Sequence, residues 1–365
     1  MKYYLIAGEA SGDLHGARLV SQLIQQDPDA QIMAWGGDLM ANAGAQIRKH
    51  YRELAFMGFV EVIQNIRTIY KNFDLCKKDI LDFKPDALIL IDYPGFNLRM
   101  ASWAKAQNIK VFYYISPQLW AWKPDRANII KSSVEKLYTI LPFENEFYKK
   151  YDVYPEYVGH PLIETISHFQ VDPTIEAQLK NKKILALLPG SRKQEITKIL
   201  PIYLQTLASF PEYTAVIAAA PSQPLSLYEN IIQQFKEAKI IIIQNQTYSI
   251  LKLASLAWVS SGTATLETAL FGVPQVVCYT GNWLSYQIAK RLVSIKYISL
   301  VNLMLDKPLI PELIQQDFTK EKLTATTLSL SMANIKSEYQ YLHELLLPDN
   351  ASYRVAKSII SHLNQ

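Results

Sequence analysis

The chain lacks the marks of several protein classes. It has two cysteines, Cys76 and Cys278, far apart and without metal-ligand spacing. That argues against a zinc site or a disulfide framework and favours reduced thiols in a cytoplasmic setting. No apolar run approaches the roughly 20 residues a spanning helix needs. The N-terminal apolar run is too short for the core of a secretory leader, and Glu9 breaks it. Charged residues make up 19% of the chain, below the usual share of about a quarter. The formal net charge is only +4. A nucleic-acid binder would show clustered Lys and Arg; a mild positive balance suits work beside anionic lipid instead.

What is present is hydrophobic and aromatic: 49% hydrophobic residues and 22 tyrosines in 365 residues. A chain of that length favours two domains over one core. Short β-rich runs at 3–7, 32–35, 87–91, 111–115 and 137–141 alternate with amphipathic stretches. Leu14, Ala17, Val20, Leu23 and Ile24 make one helical face. The pattern restarts with runs at 184–188, 215–219, 240–243, 257–260 and 275–278. Continuous apolar strands separated by helices predict parallel sheets covered on both faces. The expectation is α/β: two Rossmann-like, doubly wound domains facing a cleft. The first spans 1–168 and the second 175–345, with a polar, proline-containing linker at 168–174. A terminal helix within 346–365 is expected to pack back on the first domain.

In doubly wound sheets, ligands bind beyond the carboxyl ends of the strands, so the loops after each strand matter most. The first is Gly8-Glu9-Ala10-Ser11-Gly12-Asp13, with Gly16 continuing the glycine spacing. It is neither of the glycine-rich nucleotide fingerprints. Its glycines permit close backbone approach, and a helix starting there offers free N–H groups. Glu9 either caps that helix or serves chemistry. Asp92 ends a buried strand in Asp92-Tyr93-Pro94-Gly95-Phe96-Asn97, where a carboxylate is costly unless paired or used. It is the leading general-base candidate, against a plain helix cap. Ser116-Pro117-Gln118-Leu119-Trp120-Ala121-Trp122 offers two tryptophans as a binding wall or as packing.

The second half repeats the logic. In Leu188-Pro189-Gly190-Ser191-Arg192, Ser191 can cap a helix and Arg192 enters its first turn. Bases there oppose the helix dipole unless an anion such as a diphosphate sits between them and the amides. Ser261-Gly262-Thr263-Ala264-Thr265-Leu266-Glu267 opens another helix with small residues. Its amides suit phosphate, and Glu267 can accept ribose hydroxyls or simply face solvent. His160, in Gly159-His160-Pro161, suits a hydrogen-bonded structural role better than a hinge or nucleotide contact. Asp27-Pro28-Asp29 matches a metal-binding string but falls between a helix and a strand start, the wrong end of a sheet.

Taken together and in this order, these motifs resemble the lipid-A-disaccharide synthase family, glycosyltransferases of the two-Rossmann (GT-B) type. The resemblance runs from Tyr3 past Asn302. It implies a reaction joining UDP-2,3-diacylglucosamine to 2,3-diacylglucosamine 1-phosphate, giving a β-1,6-linked disaccharide and UDP. It makes Asp92 the base, Glu9 an acceptor-side acid, Arg192 the diphosphate ligand and Glu267 the ribose ligand. Asn302, in Ser299-Leu300-Val301-Asn302-Leu303, matches another active-site position. Gly8, Ser11, Gly12, Asn97, Ser116, Gln118, Trp120, Gly190, Ser191, Gly262, Thr263 and Ala264 complete the expected substrate-binding set. No metal or cofactor is implied. Many members carry a second Asp where this chain has Gly95, which weakens any mechanism needing two acids in that loop.

Acylated substrates call for a greasy surface. Phe56, Met57, Phe59, Val60 and Ile63, followed by Arg67, Lys71, Lys77 and Lys78, suit an interfacial helix on anionic lipid, or an ordinary core-facing helix. The 279–303 stretch, with Trp283, Tyr286 and Tyr297, carries the same two readings. Peripheral attachment to the cytoplasmic inner membrane and a homodimer complete the expectations. The rivals are a same-fold UDP-N-acetylglucosamine epimerase, a muramyl-lipid transferase, and a non-enzymatic lipid-sugar carrier. The apolar segment after Phe56 argues against the first two. Retention of Glu9, Asp92, Arg192 and Glu267 together argues against the third.

Overall fold

The computed structural model describes residues 1–54, 66–235, 239–281 and 296–365. Two compact units emerge: Met1–Glu164 with Leu346–Gln365, and Thr165–Leu345. The first holds β1 (Lys2–Ala7), β2 (Gln31–Gly36), β3 (Gln46–His50), β4 (Ala87–Ile91), β5 (Lys110–Tyr114), β6 (Lys136–Thr139) and β7 (Glu156–Tyr157). They pair in the order β3-β2-β1-β4-β5-β6-β7, and the pairings are parallel. The second unit holds β8 (Ile184–Leu188), β9 (Thr214–Ala219), β10 (Ile240–Gln244), β11 (Leu256–Ser260), β12 (Gln275–Tyr279) and β13 (Glu312–Ile314), ordered β10-β9-β8-β11-β12-β13. These are also parallel.

Strand alternation explains why the central strands are apolar throughout. Tyr3, Leu5 and Ala7 enter one core and Tyr4 and Ile6 the other. In β8, Leu185 and Leu187 face one core, while Ile184, Ala186 and Leu188 face the second. A strand buried on both faces has no polar side, so period-2 patterning vanishes. Each fully buried Leu or Ile there contributes roughly 1.5–3 kcal/mol.

The helix Ala10–Gln26 lays Gly12, Gly16, Leu19, Val20 and Leu23 on the sheet. Ala17 and Ile24 are partly buried against the same core, which also takes in Val355, Ala356 and Ile359 of the helix Ala351–Leu363. The two helices pack together, so the expected apolar stripe is split between sheet and neighbour. Strands β3, β7 and β13 were not foreseen. The first is a polar edge strand and the others are two and three residues long. The run expected at 111–115 stops at Tyr114, because Ile115 turns to φ 63°.

Asp13, quoted in the first motif, is structural. Its buried carboxylate accepts the N–H groups of Gly37 at 2.7 Å, Leu39 at 3.1 Å and Met40 at 3.1 Å. It thereby closes the start of the helix Asp38–Asn42 from a different element. Replacing Asp13 with Ala strands these donors and should cost roughly 2–3 kcal/mol. Urea unfolding should show the loss. Wild-type stability in Asp13→Ala would refute the capping role.

Candidate active site

In each sheet the strand order reverses between two central strands, β1 and β4 in the first, β8 and β11 in the second. Helices leaving such neighbours depart to opposite faces, which opens a crevice at their carboxyl ends. Ala7 pairs with Ile91, so the loops opening at Gly8 and Asp92 emerge side by side. Leu188 pairs with Val259, so the loops carrying Arg192 and Gly262 do the same. Chain topology thus gathers the predicted motifs into one cluster per unit.

In the first cluster, Asp92 and Tyr93 both adopt left-handed backbone conformations, at φ 46° and 51°. Neither residue favours that region, and each costs about 1–3 kcal/mol. Four contacts hold the turn. The Asp92 N–H donates to the Tyr114 carbonyl at 3.2 Å. The Asp92 carbonyl accepts from the Tyr113 hydroxyl at 2.6 Å and the Asn97 amide at 2.8 Å. The Tyr93 ring lies over Gly8, where a Cβ would come within 2.4 Å of it. Gly8 is therefore required by Tyr93.

This turn leaves the Asp92 carboxyl in a poorly solvated place. Burial first, and the charge of Glu9 second, push its pKa up to about 6, against one backbone hydrogen bond from Tyr93. Glu9 occupies the N-cap position of Ala10–Gln26 but makes no side-chain cap bond, and it is exposed. Ser11 is exposed beside it and Gly12 is buried against Ala7. Asn97 is buried, its amide spread over the carbonyls of Ile6, Ile91 and Asp92. That places it as the brace of the two strand ends. Gly95 is exposed, and a Cβ there would meet nothing within 4 Å. A longer side chain would fit, so the departure at this position is not forced by packing.

The Ser116–Trp122 loop packs more than it exposes. Ser116 is buried, sharing a 2.6 Å hydrogen bond with the Tyr148 hydroxyl. Trp120 meets Phe143 edge-on at 5.0 Å, and Gln118 is exposed. Beneath the loop lies Glu144, which the motifs did not signal. Its carboxylate accepts the N–H groups of Ile140 and Leu141, and burial pushes its pKa up to about 8. Nothing in the local pattern 143–147 announces a buried acid.

In the second cluster, Gly190 sits at φ 106° and Gly262 at φ 136°, values that favour glycine. The helix Lys193–Thr206 has Arg192, not Ser191, at its N-cap. The cap comes from Glu195: Oε2 accepts the Ser191 and Arg192 N–H groups at 3.3 Å each. Its Oε1 lies 3.7 Å from the largely exposed Arg192 guanidinium. A carboxylate rests where the sequence suggested an anion. Gly262 caps the helix Thr263–Leu270, with Thr263 exposed and Ala264 half-buried in its first turn. Glu267 does not face open solvent. It is partly buried, accepts the Tyr248 hydroxyl at 2.9 Å, and has its pKa raised by burial.

Asn302 is buried and internally satisfied. Its Nδ2 donates to the Ile310 carbonyl and to Glu312, and its Oδ1 accepts the Ile310 N–H. It fixes the turn after the helix Leu300–Leu305. His160 is buried, accepts the Leu162 N–H on Nδ1, and is held neutral with its pKa near 3 by burial and the neighbouring His15. Asp27 accepts the Tyr3 hydroxyl at 3.0 Å and ends the helix that precedes β2, at the other end of that helix from the first cluster. Among the described residues, no group of three or more His, Cys, Asp or Glu is placed to hold a metal ion. Residues 55–65, with Phe56, Met57, Phe59, Val60 and Ile63, and residues 282–295, with Trp283 and Tyr286, lie outside the described residues, as does the Arg67 side chain.

Known proteins share this frame. A family model described as lipid-A-disaccharide synthetase matches residues 3–357. The lipid-A-disaccharide synthase of Syntrophus aciditrophicus (strain SB) is 37% identical over 364 residues, covering 96% of this chain and 95% of that protein. A glycotransferase of kitacinnamycin superposes with a TM-score of 0.69 at 12% identity, covering 99% of both chains. The UDP-GlcNAc 2-epimerase of Neisseria meningitidis, bound to UDP-GlcNAc, gives 0.63 at 13% identity over 100% of both. The structural likenesses establish the two-Rossmann GT-B fold, which epimerases and transferases share. The sequence match separates them and favours lipid A disaccharide formation over the rivals. This chain belongs to the lipid-A-disaccharide synthase family of glycosyltransferases.

Proposed function

We propose that this enzyme transfers the 2,3-diacylglucosaminyl group of UDP-2,3-diacylglucosamine to the 6-hydroxyl of 2,3-diacylglucosamine 1-phosphate in one inverting displacement. Asp92 takes the hydroxyl proton as the oxygen attacks the anomeric carbon. The bond from that carbon to the diphosphate oxygen breaks, and UDP leaves as the β-1,6-linked disaccharide 1-phosphate forms. The unit carrying Asp92 holds the acceptor, with Glu9, Ser11 and Gln118 exposed around it. The other unit holds UDP: the free N–H groups of Thr263 and Ala264 and the Arg192 guanidinium meet the diphosphate, and Glu267 meets the ribose. Preorganised donors of this kind disperse the charge developing on a leaving group. Glu195 gives way to the diphosphate when the nucleotide enters.

One observation carries the reading: a strained, half-buried Asp92 beside Glu9 at the reversal point of the first sheet, its carboxyl shifted to about 6. A base works best when its pKa lies near the working pH.

The acceptor lives in lipid, and no described helix is long and apolar enough to cross a membrane. We assign contact to residues 56–63 and the helix that follows. On that helix, Ile66–Phe83, Tyr70 is 61% and Leu75 43% exposed, and Lys71 and Lys78 are exposed. Lys77 is half-buried and packs over the Trp103 ring at 5.9 Å. The resulting arrangement is a peripheral enzyme on the cytoplasmic face of the inner membrane, and a homodimer remains part of the proposal.

Supplying both acylated substrates should yield disaccharide and UDP. Asp92→Asn should keep UDP affinity but lose about a hundredfold or more in turnover; near-wild-type turnover rejects the base.

Below about pH 6, Asp92 is protonated and cannot accept a proton, so kcat/KM should fall with a slope of one. Glu9→Gln removes a negative charge that disfavours ionisation of Asp92, so this limb should move to lower pH. An unmoved limb would separate the two acids. Arg192→Ala should weaken UDP binding by roughly 1.5–3 kcal/mol, read by calorimetry.

Each base near an anionic surface is worth about 1 kcal/mol. Binding to phosphatidylglycerol vesicles should therefore weaken with added salt. Phe56→Ser with Phe59→Ser should reduce vesicle binding more than UDP binding. A double mutant that unfolds, with normal lipid binding per folded molecule, would mark the segment as core.

A further inference from the structure

Beside Glu267 stands a side chain that no motif announced. Tyr248, on the helix Thr247–Leu253, donates its hydroxyl to Glu267 Oε1 over 2.9 Å. The ring has little freedom. Phe169 meets it edge-on at 5.5 Å, Phe271 packs tilted against it at 5.3 Å, and those two rings meet each other at 5.8 Å. The helix is anchored as well: Gln246 donates to Asp172 at 3.0 Å, and the Asp172 N–H donates to Ser249 at 3.3 Å. The hydroxyl therefore approaches Glu267 from a fixed direction. Among the described residues no second hydrogen bond to the Glu267 carboxylate is present, which leaves Oε2 available.

We infer that Tyr248 is a positioning residue for recognition of a nucleoside diphosphate. By occupying Oε1 it fixes the carboxylate plane and presents Oε2 to a ribose hydroxyl. The inference rests on the nucleotide assignment of Glu267 above. Two physical effects support it. A carboxylate held at one oxygen loses less freedom on accepting a ligand. The phenol also donates to the ionised form and opposes the burial that raises the Glu267 pKa. An ionised carboxylate accepts hydroxyl hydrogen bonds more strongly than a neutral acid. The plain alternative is that Tyr248 only fills space between Phe169 and Phe271. Tyr248→Phe separates the two, because it keeps the ring and removes the hydroxyl.

Calorimetry on the full chain should compare UDP, 2′-deoxy-UDP and 3′-deoxy-UDP. The wild type should prefer UDP over at least one analogue. Tyr248→Phe should weaken UDP about fivefold to tenfold, the worth of one hydrogen bond. It should weaken the disfavoured analogue less than twofold, so that discrimination shrinks. As pH is lowered, UDP affinity in this variant should also begin to fall at a higher pH than in the wild type, because Glu267 loses the donor that opposes its upward shift. Donor KM should rise more than kcat falls. Phe169→Leu, which disturbs packing alone, should keep the discrimination. If Tyr248→Phe does not fold, Tyr248→His, which retains a ring donor, should retain discrimination. Loss of discrimination in Glu267→Gln with wild-type affinity, ratio and pH profile in Tyr248→Phe overturns the role of Tyr248 alone. A wild type indifferent to both ribose hydroxyls overturns the ribose assignment of Glu267 first, and the inference with it.

Discussion

Everything functional here depends on one constraint: a parallel strand must be followed by a crossover, and crossovers from the two central strands go to opposite faces. Right-handed connections leave no other arrangement for strands ordered β2-β1-β4-β5 or β9-β8-β11-β12. The backbone is then absent just beyond the ends of β1 and β4, and again beyond β8 and β11. Side chains and free helix N–H groups can point there without displacing structure. The chemistry concerns the loops, but the sheets decide where the loops can be useful.

The cost of that placement falls on a few residues. Asp92 and Tyr93 take left-handed conformations, Tyr93 directly before Pro94, where a helical backbone is sterically disfavoured. The strain persists because the surroundings over-determine it. Tyr113 and Tyr114 grip the Asp92 peptide from β5, Asn97 from the following helix, and Gly8 leaves room for the Tyr93 ring. The abundance of tyrosine has a local use here, since Tyr113 is apolar enough for the core and carries one hydroxyl to the turn.

Much of this was legible in sequence because the relevant signals are local. Apolar runs gave the central strands, glycine and small-residue loops marked the strand ends, and the ordered motif set pointed to the family. Edge elements were not legible: β3 is polar and β7 has two residues, so neither carries a burial pattern. Side-chain partners across the fold were also hidden. Asp13 caps a helix 24 residues downstream, and Tyr248 meets Glu267 across 19 residues. Glu195 provides a cap that Ser191 was expected to give, because an N3 carboxylate reaches back more easily than a serine on the outside of the turn. No periodicity encodes such pairings.

The two clusters each raise the pKa of one carboxyl group by burial, but the second influence differs. In the first, burial and a like charge act together on Asp92, making its ionised form expensive and its affinity for a proton correspondingly high. In the second, Glu267 is partly buried, but a phenol donor works against the desolvation and favours the ionised form. Both pKa values are raised, but only Glu267 has a side-chain donor that opposes the rise. Two carboxyl groups at matching strand ends thus differ in their neighbours: Asp92 faces a second acid, Glu267 a hydroxyl. The proposed displacement asks for that difference, a proton acceptor in one unit and a hydrogen-bond acceptor in the other.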